Sequence, residues 1–208
     1  MIAESIPFDL GILRGSVAAW GEGERSTGLH VTDIIRSLGE QVDPLPEAVM
    51  DAYAALGFSF ERVMEIGVAT ACLSDRYVRI GELECDGISG SPDIVDTEAW
   101  EIVDTKVKWC SSKHVGEDGA PSSEIAAAML GRFWKEVVQI KAYCYMLSKA
   151  TGKPCITGNL WFCFVCGNWR GKPPFPQWKV RRLTFKPVEL ADNWNLLLAH
   201  AKETGMLQ

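Results

Sequence analysis

Residues 100–109, with the sequence WEIVDTKVKW, alternate between two kinds of side chain along their whole length. Because successive side chains of a β-strand point to opposite faces, Asp104, Lys106 and Lys108 share one face, and Val103 and Val107 share the other. A chain that contains such a strand needs a sheet that buries one face of it. The charged face is open to two interpretations: the solvated side of an edge strand, or part of a polar site.

The remaining hydrophobic periodicity predicts helices and further strands around this one. The predicted helices cover residues 30–38, 47–72, 124–151 and 188–203. The predicted strands cover residues 77–85, 92–96 and 100–109, as three consecutive antiparallel strands, and then residues 160–169 and 178–185. This order indicates an α/β (mixed α+β) fold with a central mixed β-sheet of about five strands flanked by helices.

Length and composition favour one domain. The chain has 208 residues, of which 47% are hydrophobic, which is enough for one well-filled core. We expect a single domain over residues 30–208, with residues 1–29 as an N-terminal extension packed on it. The first residues carry Glu4 and Asp9 where a secretory signal carries positive charge, and no long apolar run follows, so we expect a soluble protein of the cytoplasm without a membrane partner.

The net charge of -6 argues against a protein whose whole surface binds nucleic acid, so any such contact must be local. Acidic residues have a second use, because hard divalent cations such as Mg²⁺ bind oxygen ligands. If the strand of residues 92–96 pairs with that of residues 100–109, Asp93 lies beside Asp104 and Lys106. Two acids and one lysine would then meet at one point.

Phosphodiester hydrolysis uses this kind of group. It requires a nucleophilic water and stabilisation of charge on the phosphate, and carboxylate-bound metal ions supply much of both. A nearby lysine can orient or help to deprotonate the water, or act as a fixed positive charge on the transition state. The sequence leaves these roles of Lys106 open.

Residues 91–108 resemble the motif of the PD-(D/E)XK nuclease superfamily. In this resemblance Asp93 is the first metal-binding acid, Asp104 the second and Lys106 the lysine, and Thr105 between them is included among the candidate metal-binding residues. The resemblance implies a restriction-endonuclease-like core and catalysis that depends on Mg²⁺ or Mn²⁺.

Three further positions match in chain order. Residues 57–61, GFSFE, resemble the helix segment that supplies another metal-binding acid, here Glu61, with Glu65 as the alternative. Gln139 and Tyr143 resemble the QxxxY motif of the RecB-like and phage exonuclease-like branch, whose Gln and Tyr line the active site and contact DNA. At positions i and i+4 they share one helix face. His30 resembles a metal-ligating His that several RecB-like nucleases carry on an early helix.

Basic residues beside this group are candidate DNA contacts, above all Lys108 and Arg132. The seven cysteines are scattered and odd in number, so we expect reduced thiols. Cys163 and Cys166 form a CxxC pattern inside an apolar strand, and we do not expect an iron–sulfur cluster there.

The resemblance implies a metal-dependent deoxyribonuclease, of exonuclease type, in DNA recombination, repair or processing. Its partner would be single- or double-stranded DNA, with ends as the expected target, and a homo-oligomer or a recombination protein is a further candidate partner. The compact size resembles stand-alone nucleases of phages, for which the location is the host cytoplasm. The alternatives are a non-catalytic nucleic-acid-binding module that retains the fold, and an unrelated α/β enzyme in which Asp93, Asp104 and Glu61 do not converge.

Overall fold

The structure is a computed structural model that describes residues 27–39, 54–57, 59–60, 62–64, 67, 75–110, 133–166 and 177–207. Its elements are, in chain order, β1 (Leu29–His30), α1 (Val31–Leu38), β2 (Tyr77–Val78), β3 (Leu83–Cys85), β4 (Ile88–Gly90), β5 (Ile94–Asp96), β6 (Glu101–Cys110), α2 (Trp134–Thr151), β7 (Thr157–Cys166), β8 (Gln177–Thr184) and α3 (Pro187–Glu203). The described positions between 54 and 67 are also helical. The predicted N-terminal extension lies almost wholly outside these residues and stays a prediction.

Two sheets carry the strands. The larger one has five strands in the order β2-β5-β6-β7-β8, and the smaller one has three in the order β1-β4-β3. In the larger sheet β6 and β7 are parallel, and the other neighbours are antiparallel. Parallel neighbours need a crossover connection, and α2 lies in the connection between β6 and β7. The predicted mixed sheet of about five strands with flanking helices is therefore confirmed.

Several elements differ from the prediction, and the short strands β1 and β4 were not predicted. The predicted strand of residues 77–85 is divided at Gly81, whose φ of 76° suits glycine, into β2 in the larger sheet and β3 in the smaller one. Helix α2 begins at Trp134 rather than at residue 124, and residues 124–132 lie outside the described part. Strand β7 begins at Thr157, three residues before the predicted start. The prediction missed these residues because glycine and asparagine, here Gly158 and Asn159, are residue types that strands usually avoid.

Helix α2 packs closely on the β6–β7 part of the sheet. Its Ile140 is fully buried, and a Cβ added at Gly158 of β7 would lie 2.5 Å from the Ile140 side chain. Ile102 of β6 and Leu160 of β7 complete the apolar layer beneath the helix. Glycine at position 158 therefore sets how near α2 lies to the sheet, because any side chain there would occupy the place of Ile140.

Two buried carboxylates, Asp96 and Glu101, form ion pairs on the face of the sheet opposite α2. Asp96 accepts hydrogen bonds from Arg76 Nε and from two backbone N–H groups of the β5–β6 turn, at 3.0–3.1 Å. Burial acts to raise the pKa of Asp96, but these bonds outweigh it and the pKa is lowered. Glu101 of β6 similarly accepts from Arg182 of β8 and, at 2.7 Å, from Asn159 of β7. These bonds hold the register of four neighbouring strands.

Helices α1 and α3 complete the core. Trp194 of α3 is buried, stacks on Tyr145 of α2 with ring centroids 5.2 Å apart, and donates its indole N–H to Asp86 at 2.7 Å. Of the helices that the structure describes, none combines the length and the apolar character needed to cross a membrane.

Gly158→Ala tests the close approach of α2. The new methyl group would overlap Ile140, so we expect the free energy of unfolding to fall by about 1–3 kcal/mol, measured by urea denaturation. Gly57→Ala is the matched control, because a Cβ there meets no atom within 4 Å in the part of the chain that the structure describes. Gly57 is helical, and its replacement should raise the stability by up to about 1 kcal/mol. Equal effects of both substitutions would contradict the packing described.

Candidate active site

Asp93 lies where the β5–β6 ladder ends. The last pair of the ladder is Ile94 with Val103, so the same register sets Asp93 opposite Asp104. Beyond that pair, Asp93 Oδ2 accepts hydrogen bonds from the backbone N–H and from the Oγ1 hydroxyl of Thr105, both at 2.7 Å. The carboxylate thus continues the ladder in place of a backbone carbonyl, and its position relative to β6 is fixed.

Asp104 and Lys106 form an ion pair beneath α2. Asp104 is only 1% exposed, and Lys106 Nζ lies 2.7 Å from its Oδ2. Asp104 Oδ1 is buried without a hydrogen-bond partner in the described part of the chain. Burial is the main cause that raises the pKa of Asp104 to about 7, against the opposing charge of Lys106. The negative charge of Asp93 raises it further.

The same proximity keeps Lys106 protonated. Burial acts to lower the pKa of Lys106, but the negative charges of Asp104 and Asp93 outweigh it, and the pKa is raised above its ordinary value. The structure therefore brings together the three residues that the hairpin pattern singled out. An unrelated enzyme with a fortuitous D-x-K predicts that Asp93, Asp104 and Glu61 do not converge. Asp93 and Asp104 do lie close together, and Glu61 lies outside the described residues.

Helix α2 turns a row of polar side chains towards the charged face of β6. Gln139 Nε2 donates to Tyr143 Oη at 2.8 Å, and Tyr143 is buried. Burial raises the pKa of Tyr143, and the charge of Asp104 raises it further, so the phenol lies near the acids and stays protonated. A Cβ at Gly90 would lie 2.8 Å from the Tyr143 ring, so Gly90 makes room for it.

Lys108 lies on the charged face but is already engaged. It forms an ion pair with Glu136 of α2, and its Nζ lies 5.5 Å from the centre of the Phe133 ring. Glu136 is itself buried, and its charge contributes to the raised pKa of Asp104. The predicted DNA contact at Lys108 is therefore occupied by a carboxylate of the same chain.

The sequence predicts His30 as a metal ligand, and the structure places it beside Glu82. It is buried in β1, and its Nδ1 lies 3.3 Å from Glu82 Oε1. Glu82 lines a cavity of about 340 Å³ together with Arg79, Gly81, Ser91 and Pro92. Within the ranges that the structure describes, no three His, Cys, Asp or Glu side chains form a group able to hold a metal ion. The role of His30 as a metal ligand stays a prediction.

Several predicted site residues lie outside the described residues: Glu61, its alternative Glu65, and Arg132. Their roles stay predictions. Of the CxxC pattern, Cys163 is a buried free thiol whose pKa is raised by burial, and the side chain of Cys166 is not described.

Two residues beside the site escaped the sequence analysis. Glu136 precedes Gln139 and Tyr143 by three and seven residues, which places all three on one helix face, and this spacing was the available signal. Gly90 precedes the SPD segment, but only the approach of Tyr143 reveals why a glycine is needed there.

Comparisons with known proteins support the fold. No protein-family model matches the sequence, and no curated protein sequence matches it. Among solved structures, a phage-related exonuclease from Haemophilus somnus 129PT superposes with a TM-score of 0.53 and 13% identity, over 86% of this chain and 93% of that chain. The fold resembles that of this exonuclease.

The protein SSO0001 is similar to the same extent, with a TM-score of 0.51 and 13% identity over 95% of this chain and 85% of that chain. An alkaline exonuclease from Laribacter hongkongensis is more distant, with a TM-score of 0.44, 12% identity and 91% of each chain covered. At these identities the likeness to the exonuclease and to SSO0001 is one of fold alone.

The burial of Asp104 predicts a pH-dependent stability. In the unfolded chain this acid ionises near its ordinary pKa of 3.8, whereas the folded protein retains the proton up to about pH 7. The folded state therefore binds more protons between these values, and its stability falls as the pH rises through this window, by up to about 4 kcal/mol. Urea denaturation in EDTA at pH 4 and pH 8 should show this loss in the unaltered protein and a smaller one in Asp104→Asn. An equal loss in both proteins would contradict the assignment.

Proposed function

We propose that this protein is a deoxyribonuclease that depends on Mg²⁺ or Mn²⁺ and acts as an exonuclease. The observation that carries the proposal is the meeting of Asp93, Asp104 and Lys106 beneath Gln139 and Tyr143. This is the group of residues that the PD-(D/E)XK resemblance requires, and it lies on a fold that resembles a phage-related exonuclease.

The carboxylates fit a divalent cation. A buried carboxylate oxygen without a hydrogen-bond partner is unfavourable, and Asp104 Oδ1 is one. Asp93 and Asp104 would bind the ion, with Thr105, Glu61 and His30 as the further predicted ligands. Oxygen ligands of this type suit Mg²⁺ and Mn²⁺. When bound, such an ion would polarise the phosphate and lower the pKa of a water molecule.

Without metal, burial acts to lower the pKa of Lys106, but the negative charges of Asp104 and Asp93 raise it and keep the ammonium group protonated. The protonated group can donate hydrogen bonds to a phosphate oxygen or to the attacking water. A cation bound by the same two carboxylates would offset these charges, so both roles of Lys106, the fixed positive charge and the base, belong to the proposal.

The residues around this centre would hold it in place. Thr105 fixes Asp93 through two hydrogen bonds to one carboxylate oxygen. Gln139 donates to Tyr143 Oη, which leaves the phenol hydrogen free to be donated towards substrate or water. Such preorganised donors stabilise charge that develops in the transition state.

The proposed substrate is single- or double-stranded DNA, attacked at an end, in recombination, repair or processing. Two kinds of support are available: the phosphate-directed chemistry of the site, and the name of the similar structure as a phage-related exonuclease. A phage origin, a homo-oligomer and a recombination partner protein belong to the same proposal.

Cleavage of labelled single- and double-stranded DNA tests the function. We expect the purified protein to degrade DNA in Mn²⁺ or Mg²⁺ and to stop in EDTA. Asp104→Asn and Lys106→Met should each reduce the rate at least about 100-fold, because each removes a charge at the reacting phosphate.

Lys202→Met is the matched control, since it removes a lysine from the last turn of α3. It should leave the rate unchanged. Cleavage that persists in Asp104→Asn and in Lys106→Met would refute the proposal. A protein that binds DNA but never cleaves it, with or without metal, would instead be the non-catalytic module.

A further inference from the structure

The two partners of the Lys108–Glu136 ion pair differ in their exposure to solvent. The Lys108 side chain is 30% exposed, whereas that of Glu136 is 10% exposed. Glu136 gives one carboxylate oxygen to Lys108, and its other oxygen is buried without a hydrogen-bond partner in the part of the chain that is described. The Lys108 side chain thus reaches solvent, and a buried acid neutralises its ammonium group.

The position of Lys108 relative to Lys106 indicates a role for the Lys108–Glu136 ion pair. The two lysines lie on one face of β6, two residues apart, which separates them by about 6.6 Å along the strand. This separation resembles that between successive phosphates of a nucleic acid strand. If one phosphate lies at Lys106, a strand that follows β6 brings the next one to Lys108.

We propose that Lys108 is a subsite for the phosphate next to the reacting one, and that Glu136 closes this subsite in the free protein. The inference rests on the proposed nuclease function and deepens it. In this arrangement the Glu136 carboxylate takes the place of the incoming phosphate.

Burial explains why the subsite opens only for a bound strand. Separating a buried carboxylate from its ion-pair partner is strongly unfavourable, so a dilute phosphate in solution does not displace Glu136. A strand already held at Lys106 presents its next phosphate at a high effective concentration, and the exchange of one anion for another then becomes feasible. The pair therefore favours chains with at least two phosphates over a single phosphodiester.

A double-mutant cycle tests the closure. It compares the unaltered protein with Glu136→Gln, Lys108→Met and the double variant, by measuring kcat/KM in Mn²⁺ on a thymidine dinucleotide with one phosphate and on a longer oligothymidylate. Glu136→Gln should raise kcat/KM on the oligothymidylate by about 5-fold or more relative to the dinucleotide, whose change reports the effect of the Glu136 charge on Asp104. In the Lys108→Met background the same substitution should not change the ratio of kcat/KM between the two substrates.

Salt dependence gives a second readout. In the Glu136→Gln background, Lys108→Met should reduce the slope of log K against log salt for binding of single-stranded DNA by about 0.7, which corresponds to the loss of one phosphate contact. Glu84→Gln is the matched control, because Glu84 is exposed on β3 and its loss removes the same charge. It should change neither kcat/KM nor the slope.

Three results would overturn the inference: a gain that persists without Lys108, an equal gain with Glu84→Gln or on the dinucleotide, or no gain at all. The first two would show general charge repulsion. Lys108→Met leaves Glu136 without its partner, so thermal unfolding is followed for every variant. If Lys108→Met alone does not fold, kcat/KM of the double variant is compared with that of Glu136→Gln and of the unaltered protein. The gain of Glu136→Gln should then be absent from the double variant.

The failure of this inference is distinguishable from that of the nuclease function. Metal-dependent cleavage by the unaltered protein, together with an uncoupled cycle, overturns the Lys108 subsite alone. The absence of cleavage in every variant overturns both.

Discussion

The buried charge of Asp104 is the constraint on which the rest of the site depends. A carboxylate that is 1% exposed cannot be hydrated, so its surroundings must supply compensating charge. Lys106 supplies part of it at 2.7 Å, and the polar row of α2 covers the pair from above. The site is thus a place where the protein has placed charge in its core at a cost in stability, which is typical of positions kept for chemistry.

Two glycines let helix α2 lie close to the strands around this charge. Gly158 allows Ile140 to lie against the sheet, and Gly90 allows Tyr143 to lie beside β4. Both contacts come from α2, so the helix that closes the core also brings Gln139 and Tyr143 over the acids. On the opposite face of the sheet, the ion pairs of Asp96 and Glu101 hold the strands in register. Strand β6 is therefore held on one face by the packing of α2 and on the other by ion pairs.

Charges along β6 are matched one by one. Asp104 faces Lys106, and Lys108 faces Glu136, so the polar face of the strand is nearly neutral although it is densely charged. Neutrality of this kind lets a charged face be covered by a helix without a large repulsion. It also means that an anionic substrate must compete with carboxylates that belong to the protein.

The sequence by itself determined the order of helices α1 to α3 and of strands β5 to β8, the mixed sheet, and the shared face of Asp104 and Lys106, because alternation and helical periodicity are local properties of the chain. It also indicated that Gln139 and Tyr143 lie on one helix face, since four residues make about one turn. Only the tertiary structure decided that Lys108 pairs with Glu136, that His30 lies against Glu82, and that Asp104 is buried deeply enough to raise its pKa. These depend on contacts between residues far apart in sequence, and no local pattern encodes the distance or the burial that such contacts create.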